Sequence, residues 1–209
     1  MMKHSIITIL LVIMVFAAGS VQAFPFVEFG IKGGVEFTNQ SFDAPYDLDP
    51  GTRVGIHIGV FGEWLDLPMF SLLTEVAYVQ RGMKNDVLDI DNDRTIEFDN
   101  RIDYISISVL PKYKISLVAA SIYIACGPRI DYKQRVADDT IWQEEGTDDY
   151  LQDVNIGGDI ALGIDFNRFS GEFRYSRDFT PCFDNEGLEG AEPVEVINSS
   201  FGFLFGISF

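Results

Sequence analysis

The chain has 209 residues, 47% of them hydrophobic, with 32 acids against 15 bases for a formal charge of −17. That length suits a single domain. The acidity argues against nucleic acid and against anionic membrane surfaces as partners, because both would repel it.

Residues 1–23 read as a signal peptide. Lys3 precedes an almost wholly apolar run over residues 5–17, and Val21-Gln22-Ala23 offers small residues at a cleavage spacing. The run is well short of the roughly 20 residues that a spanning helix needs. Cleavage after Ala23 leaves residues 24–209 as one domain, one unit more acidic for the loss of Lys3. No later apolar run approaches helical span, so a membrane location must rest on strands.

Eight segments then alternate with period 2. The first sets Val27, Phe29, Ile31, Val35 and Phe37 against Glu28, Gly30, Lys32, Gly34 and Glu36. The second sets Val54, Ile56, Ile58, Val60 and Trp64 against Arg53, Gly55, His57, Gly59 and Glu63. In the third, Val76 and Tyr78 oppose Glu75, Ala77 and Arg81, while Leu72 and Leu73 leave the phase of its start open. The fourth opposes Ile105, Ile107, Val109, Tyr113 and Ile115 to Tyr104, Ser106, Ser108, Lys112 and Lys114.

The fifth opposes Ile122, Ile124, Ile130 and Tyr132 to Tyr123, Ala125, Gly127, Arg129, Asp131 and Lys133. The sixth places Ile156, Ile160, Leu162 and Ile164 away from Asp153, Asp159 and Asp165, and the seventh places Phe169, Phe173 and Tyr175 away from Glu172 and Arg174. The last carries Phe201, Phe203, Phe205, Ile207 and Phe209 on one face and small residues on the other. A soluble strand exposing such a face would aggregate unless something apolar covered it, and lipid is such a cover.

Connections after the odd segments are long and polar, near residues 40–52, 85–102, 134–151 and 177–197. Those after the even segments are short. This alternation fits an all-β, eight-stranded, antiparallel up-and-down transmembrane β-barrel with short periplasmic turns and long outer loops. A Lys or Arg facing the bilayer midplane costs about 2–4 kcal/mol, so the charged faces must point inward.

The inward set brings Glu28, Lys32, Arg53, His57, Glu75, Arg81, Lys112, Arg129, Asp159, Glu172 and Arg174 into a nearly balanced lumen network. Eight strands leave a bore just wide enough for side chains to fill. A porin is therefore not expected, and inward glycines make room for Arg and Tyr. So charged an interior also argues against a soluble, ligand-carrying barrel.

Gly30-Ile-Lys-Gly-Gly-Val-Glu-Phe37, Glu75-Val-Ala-Tyr-Val-Gln-Arg-Gly82, the stretch 104–114 with its Leu-Pro-Lys-Tyr-Lys, Gly127-Pro128 and Glu172-Phe-Arg-Tyr-Ser176 resemble the PorT-like family of small outer-membrane β-barrels of Bacteroidetes. The resemblance spans nearly the whole chain after the signal. It implies an outer-membrane barrel of a Gram-negative bacterium without catalytic residues. It also implies a C-terminal signal, here Phe201, Phe203, Phe205, Ile207 and Phe209, read by the barrel-assembly machinery. Some members have accessory roles in type IX secretion.

The expected role is thus non-enzymatic and cofactor-free, structural or turned toward surface partners through acidic loops. Its surroundings would be outer-membrane lipid and lipopolysaccharide. The alternatives are an accessory of a secretion system, or a barrel enzyme acting on lipid A or protein. An enzyme needs a placed base and nucleophile. His57 is the only histidine after the signal, and in a lumen it reads as one member of a hydrogen-bonded plug.

Asp89, Asp91 and Asp93 echo a calcium loop, but Arg94 stands where the turn glycine belongs and Asn100 where the bidentate glutamate does. Weak, loosely selective calcium or magnesium binding is expected of such loops, not a tight site. Cys126 and Cys182 read as two free thiols. Pro111 and Pro128 fall on adjacent strands, where bulges are expected to absorb their missing donors.

Overall fold

The computed structural model describes residues 26–43, 51–89, 94–137, 151–184 and 194–209. The signal segment, Asp91 and Asp93 lie outside the described residues, as does the side chain of Asp89. Among the described residues, nine strands form one antiparallel sheet: β1 (Phe26–Asp43), β2 (Gly51–Leu67), β3 (Phe70–Asp89), β4 (Arg94–Ser116), β5 (Ser121–Val136), β6 (Val154–Phe166), β7 (Phe169–Asp178), β8 (Phe183–Asp184) and β9 (Glu195–Ser208). Each pairs with its sequence neighbour, except that β7 pairs directly with β9. Pairing of β1 with β9, from Gly30↔Ser208 to Asp43↔Glu195, closes the ring.

The barrel nevertheless has eight staves. β7 pairs with β9 through Arg177↔Ser199, and β8 resumes on the same strand at Phe183↔Val196, three residues out of step. β8 is therefore β7 continued past a three-residue bulge, which turns Cys182 and Phe183, adjacent in sequence, both into the interior.

The two wall faces differ as period-2 alternation requires. On β6, Ile160 and Leu162 are 56% and 57% exposed, while Asp159 and Ala161 between them are at 2% and 0%. Aromatic pairs extend the apolar exterior across the closing seam: the Phe37 and Phe203 rings meet edge to face at 6.3 Å, and those of Phe29 and Phe209 lie 5.8 Å apart. The start of β3 is settled by Leu73, which is buried inward, with Leu72 on the other face.

Three expectations are corrected. The strands run past the expected boundaries into polar sequence, so β3 reaches Asp89 and β9 begins at Glu195. Backbone pairing needs no apolar face once a ladder is under way. Asp153, assigned to the lumen, has an 88% exposed side chain that meets Lys133 at the rim.

Nor does any bulge absorb Pro111 and Pro128. The β4–β5 ladder lapses between Ser108↔Arg129 and Lys112↔Ala125 and resumes with the register unchanged. Both prolines face this one seam, and each strand stays paired on its far side through Leu72↔Pro111 and Pro128↔Gly158. Gly127 sits within the lapse, where a Cβ would collide with the Val109 carbonyl and crowd Pro111.

Candidate functional site

The inward faces fill the barrel with charge, in three tiers. At the short-turn end, Lys112 Nζ bonds Glu63 at 2.9 Å and Asp165 at 2.7 Å, and lies 4.0 Å from the centre of the Tyr123 ring. Lys114 reaches the second Glu63 oxygen at 2.7 Å. A cavity of about 40 Å³ opens here between Lys32, Glu63, Lys112, Tyr123 and Arg168, and Glu28 lies on its wall. That is room for a few waters.

In the middle tier, Arg174 holds Glu75 with two nitrogens, at 2.8 and 3.0 Å, and its Nε donates to Glu172 at 2.6 Å. Lys32 Nζ bridges the same two glutamates, 2.9 Å from each, and Tyr123 donates its hydroxyl to Glu172 at 2.8 Å. His57 stands between Glu36 and Glu75, with Nδ1 and Nε2 each 2.8 Å from a carboxylate oxygen. A neutral imidazole donates from only one nitrogen, so the Glu36–His57–Glu75 bridge holds a second proton, on the ring or on a carboxyl.

The third tier lies toward the long loops. Arg129 donates to Asp131 at 2.9 Å and to Asp159 at 2.6 Å, and also to Asp178. Arg81 pairs with Asp131. Asn198 and Asn155 both donate to Asp178, at 2.9 and 3.3 Å, and Gln40 donates to Asn198 at 2.9 Å. Arg53, nearer the rim, meets Asp99 at 2.6 Å.

Above this tier the interior turns apolar. Ile102, Tyr104, Leu151, Cys182, Phe183 and Val196 pack as one buried cluster, with Phe42, Val136 and Val194 against it. Backbone bonds from Cys182 to Val196 and from Gln152 to Cys182 hold the β7–β8 bulge in this cap. Cys126 is exposed on the outer face and Cys182 is buried in the cap, and both thiols are free.

Apart from Asp153, the charged residues expected in the lumen lie on the inward faces, and most join one chain of ion pairs. Small residues shape the space: a Cβ at Gly163 would overlap the Tyr123 ring. Asp178 was missed by the sequence reading, which placed it in a loop. The alternation Glu172, Arg174, Ser176, Asp178 was the signal that could have found it. Gln40 and Asn198 carry no charge to mark them, whereas Asn155 falls on the inward face of the sixth segment by alternation.

Buried Arg and Asp cost several kcal/mol each to desolvate, so such a lumen is tolerable only when the groups are mutually paired. Six carboxylates (Glu36, Glu75, Asp131, Asp159, Glu172, Asp178) face four permanent cations (Lys32, Arg81, Arg129, Arg174) in the upper two tiers. The second proton of the Glu36–His57–Glu75 bridge offsets part of the difference. The arrangement packs and orients side chains, and both ring nitrogens of its one histidine are engaged.

Phe201, Phe203, Phe205, Ile207 and Phe209 lie along the outer face of β9, with Phe205 72% exposed. Ail of Yersinia pestis, solved with the heparin analogue sucrose octasulfate, is similar at 16% identity, covering 87% of this chain and 98% of that one with a TM-score of 0.44. Neisserial surface protein A is similar at 12% identity over 87% and 97%, TM-score 0.45. The N-terminal barrel of Pseudomonas aeruginosa OprF is similar at 12% over 85% and 97%, TM-score 0.40. A search of curated proteins finds no match. Residues 22–184 match the family described as outer membrane protein beta-barrel domain. With its ring of eight staves, apolar outside and charged within, the chain belongs to that outer-membrane β-barrel family.

Proposed function

We propose that this is a non-catalytic, non-conducting outer-membrane barrel that works through what its acidic outer loops contact. The observation that carries the reading is the filled bore. Three tiers of ion pairs and an apolar cap occupy the interior, leaving a scaffold that meets partners through its loops. The engagement of both His57 nitrogens argues against its use as a general base. A cleaved signal over residues 1–23, outer-membrane lipid and lipopolysaccharide as surroundings, and diffuse divalent binding by the acidic loops belong to the same reading.

A second reading, accessory to a type IX-like secretion system, is favoured by the PorT-like resemblance. Its motifs in β3, β4 and β7 carry Glu75, Arg81, Lys112, Lys114, Glu172 and Arg174. On this reading the resemblance reflects the lumen filling, and partner choice is left to the loops.

Purified barrel in planar bilayers tests the main reading. Only brief or negligible current is expected, and steady porin-sized conductance would refute it.

A further inference from the structure

Between the third ion-pair tier and the apolar cap, several fully buried polar atoms have no protein partner. Tyr104 is 1% exposed, yet its hydroxyl makes no hydrogen bond. The same holds for Asp131 Oδ1, Asn155 Oδ1 and Gln40 Oε1, in side chains no more than 1% exposed. Burying such an atom unsatisfied is costly, so four near one level call for a shared explanation.

The fold brings them together. Asp131 and Asn155 are direct partners across β5 and β6. Tyr104 lies opposite the β5 bulge at Gln134 and within electrostatic reach of Asp131, Asp178 and Cys182. Gln40 Nε2 reaches Asn198 and lies 3.7 Å from Cys182 Sγ, so its amide is at the same height. Three of the four atoms are acceptors only, and the fourth is a hydroxyl able to donate or accept.

The missing element is a small donor. Arg81 and Arg129 already bring two guanidinium charges to this tier, which disfavours a metal cation beside them. We propose that about one or two ordered water molecules are sealed beneath the cap, bridging Tyr104, Asp131, Asn155 and Gln40; each water making about three hydrogen bonds accounts for the four atoms. Cys182 and Phe183 close the site from the loop side, so exchange with bulk water waits on opening of the β7–β8 bulge.

Tyr104→Phe tests this with a sign. Removing a hydroxyl that is truly unpartnered leaves stability unchanged or raises it, whereas removing one bonded to fixed water lowers it. The urea midpoint of the Phe variant is expected to fall, by an amount corresponding to about fivefold in the folding equilibrium constant. A midpoint equal to or above that of the unaltered protein would overturn the proposal.

Nuclear magnetic resonance of the unaltered barrel in detergent gives a second reading that requires no variant to fold. Long-lived water cross-relaxation is expected at the side-chain amides of Asn155 and Gln40. Its absence from both, or displacement of these resonances by sodium or potassium, would likewise overturn it.

Discussion

Replacing Arg174 by Met removes the guanidinium that ties Glu75 of β3 to Glu172 of its own strand, a pair that Lys32 of β1 also bridges. Arg174 makes three hydrogen bonds of 2.6–3.0 Å from a site that is 2% exposed. Deleting one partner of a buried charge cluster costs about 3–5 kcal/mol, because the remaining charges stay desolvated. Glu75 would keep Lys32 and His57, and Glu172 would keep Lys32 and Tyr123. The lower end, about 3 kcal/mol, is therefore expected, a loss of roughly 100-fold in the folding constant. Urea unfolding in detergent micelles, followed by tryptophan fluorescence and by heat-modifiable mobility on gels, measures it. Arg177→Met, on the same strand but exposed, is the control and should shift stability by no more than about 0.5 kcal/mol. Adding Glu75→Gln to Arg174→Met should recover part of the loss. If Arg174→Met costs no more than the control, water screens the lumen and the paired-interior argument fails.

Gly163→Val should cost about 1–3 kcal/mol by driving a side chain into the Tyr123 ring, and Tyr123→Leu in the same chain should restore part of it; equal losses in both would show that the two do not touch. Phe205→Lys should cost about 2–4 kcal/mol of refolding free energy in lipid vesicles if its site is near the midplane, whereas Val118→Lys, in an open turn, should be silent. A membrane-soluble maleimide should label Cys126 in the folded barrel and spare Cys182 until denaturation; early labelling of Cys182 would mean the cap is open.

Strand number, strand faces and barrel class were legible because lipid and lumen make opposite demands on alternate residues. In polar sequence that contrast leaves no mark, which is why β3, β4 and β9 extend further than alternation suggested. The lumen charges could be read as a set, but their pairing could not. Arg129 finds Asp178 only because β6 and β7 place Gly157 opposite Asp178, and a Cβ at Gly157 would meet the Arg129 guanidinium at 2.6 Å. The interior cap depends on a bulge at Cys182 that breaks the very alternation used to find strands.

The proline seam has a mechanical consequence. In a ring of eight staves, the β4–β5 joint lies diametrically opposite the β9–β1 joint, so the barrel is two four-stranded shells hinged along two lines. One line is fully laced, from Gly30↔Ser208 to Asp43↔Glu195; the other lacks rungs between Ser108↔Arg129 and Lys112↔Ala125. The interior side chains stitch across that thin line, Arg81 of β3 to Asp131 of β5, Lys112 of β4 to Asp165 of β6, and Ser108 of β4 to Asp159 of β6. Carboxylates thus hold shut a joint that the backbone leaves slack, and a barrel stripped of them would part there like a clamshell while the edge where the first and last strands meet stayed closed.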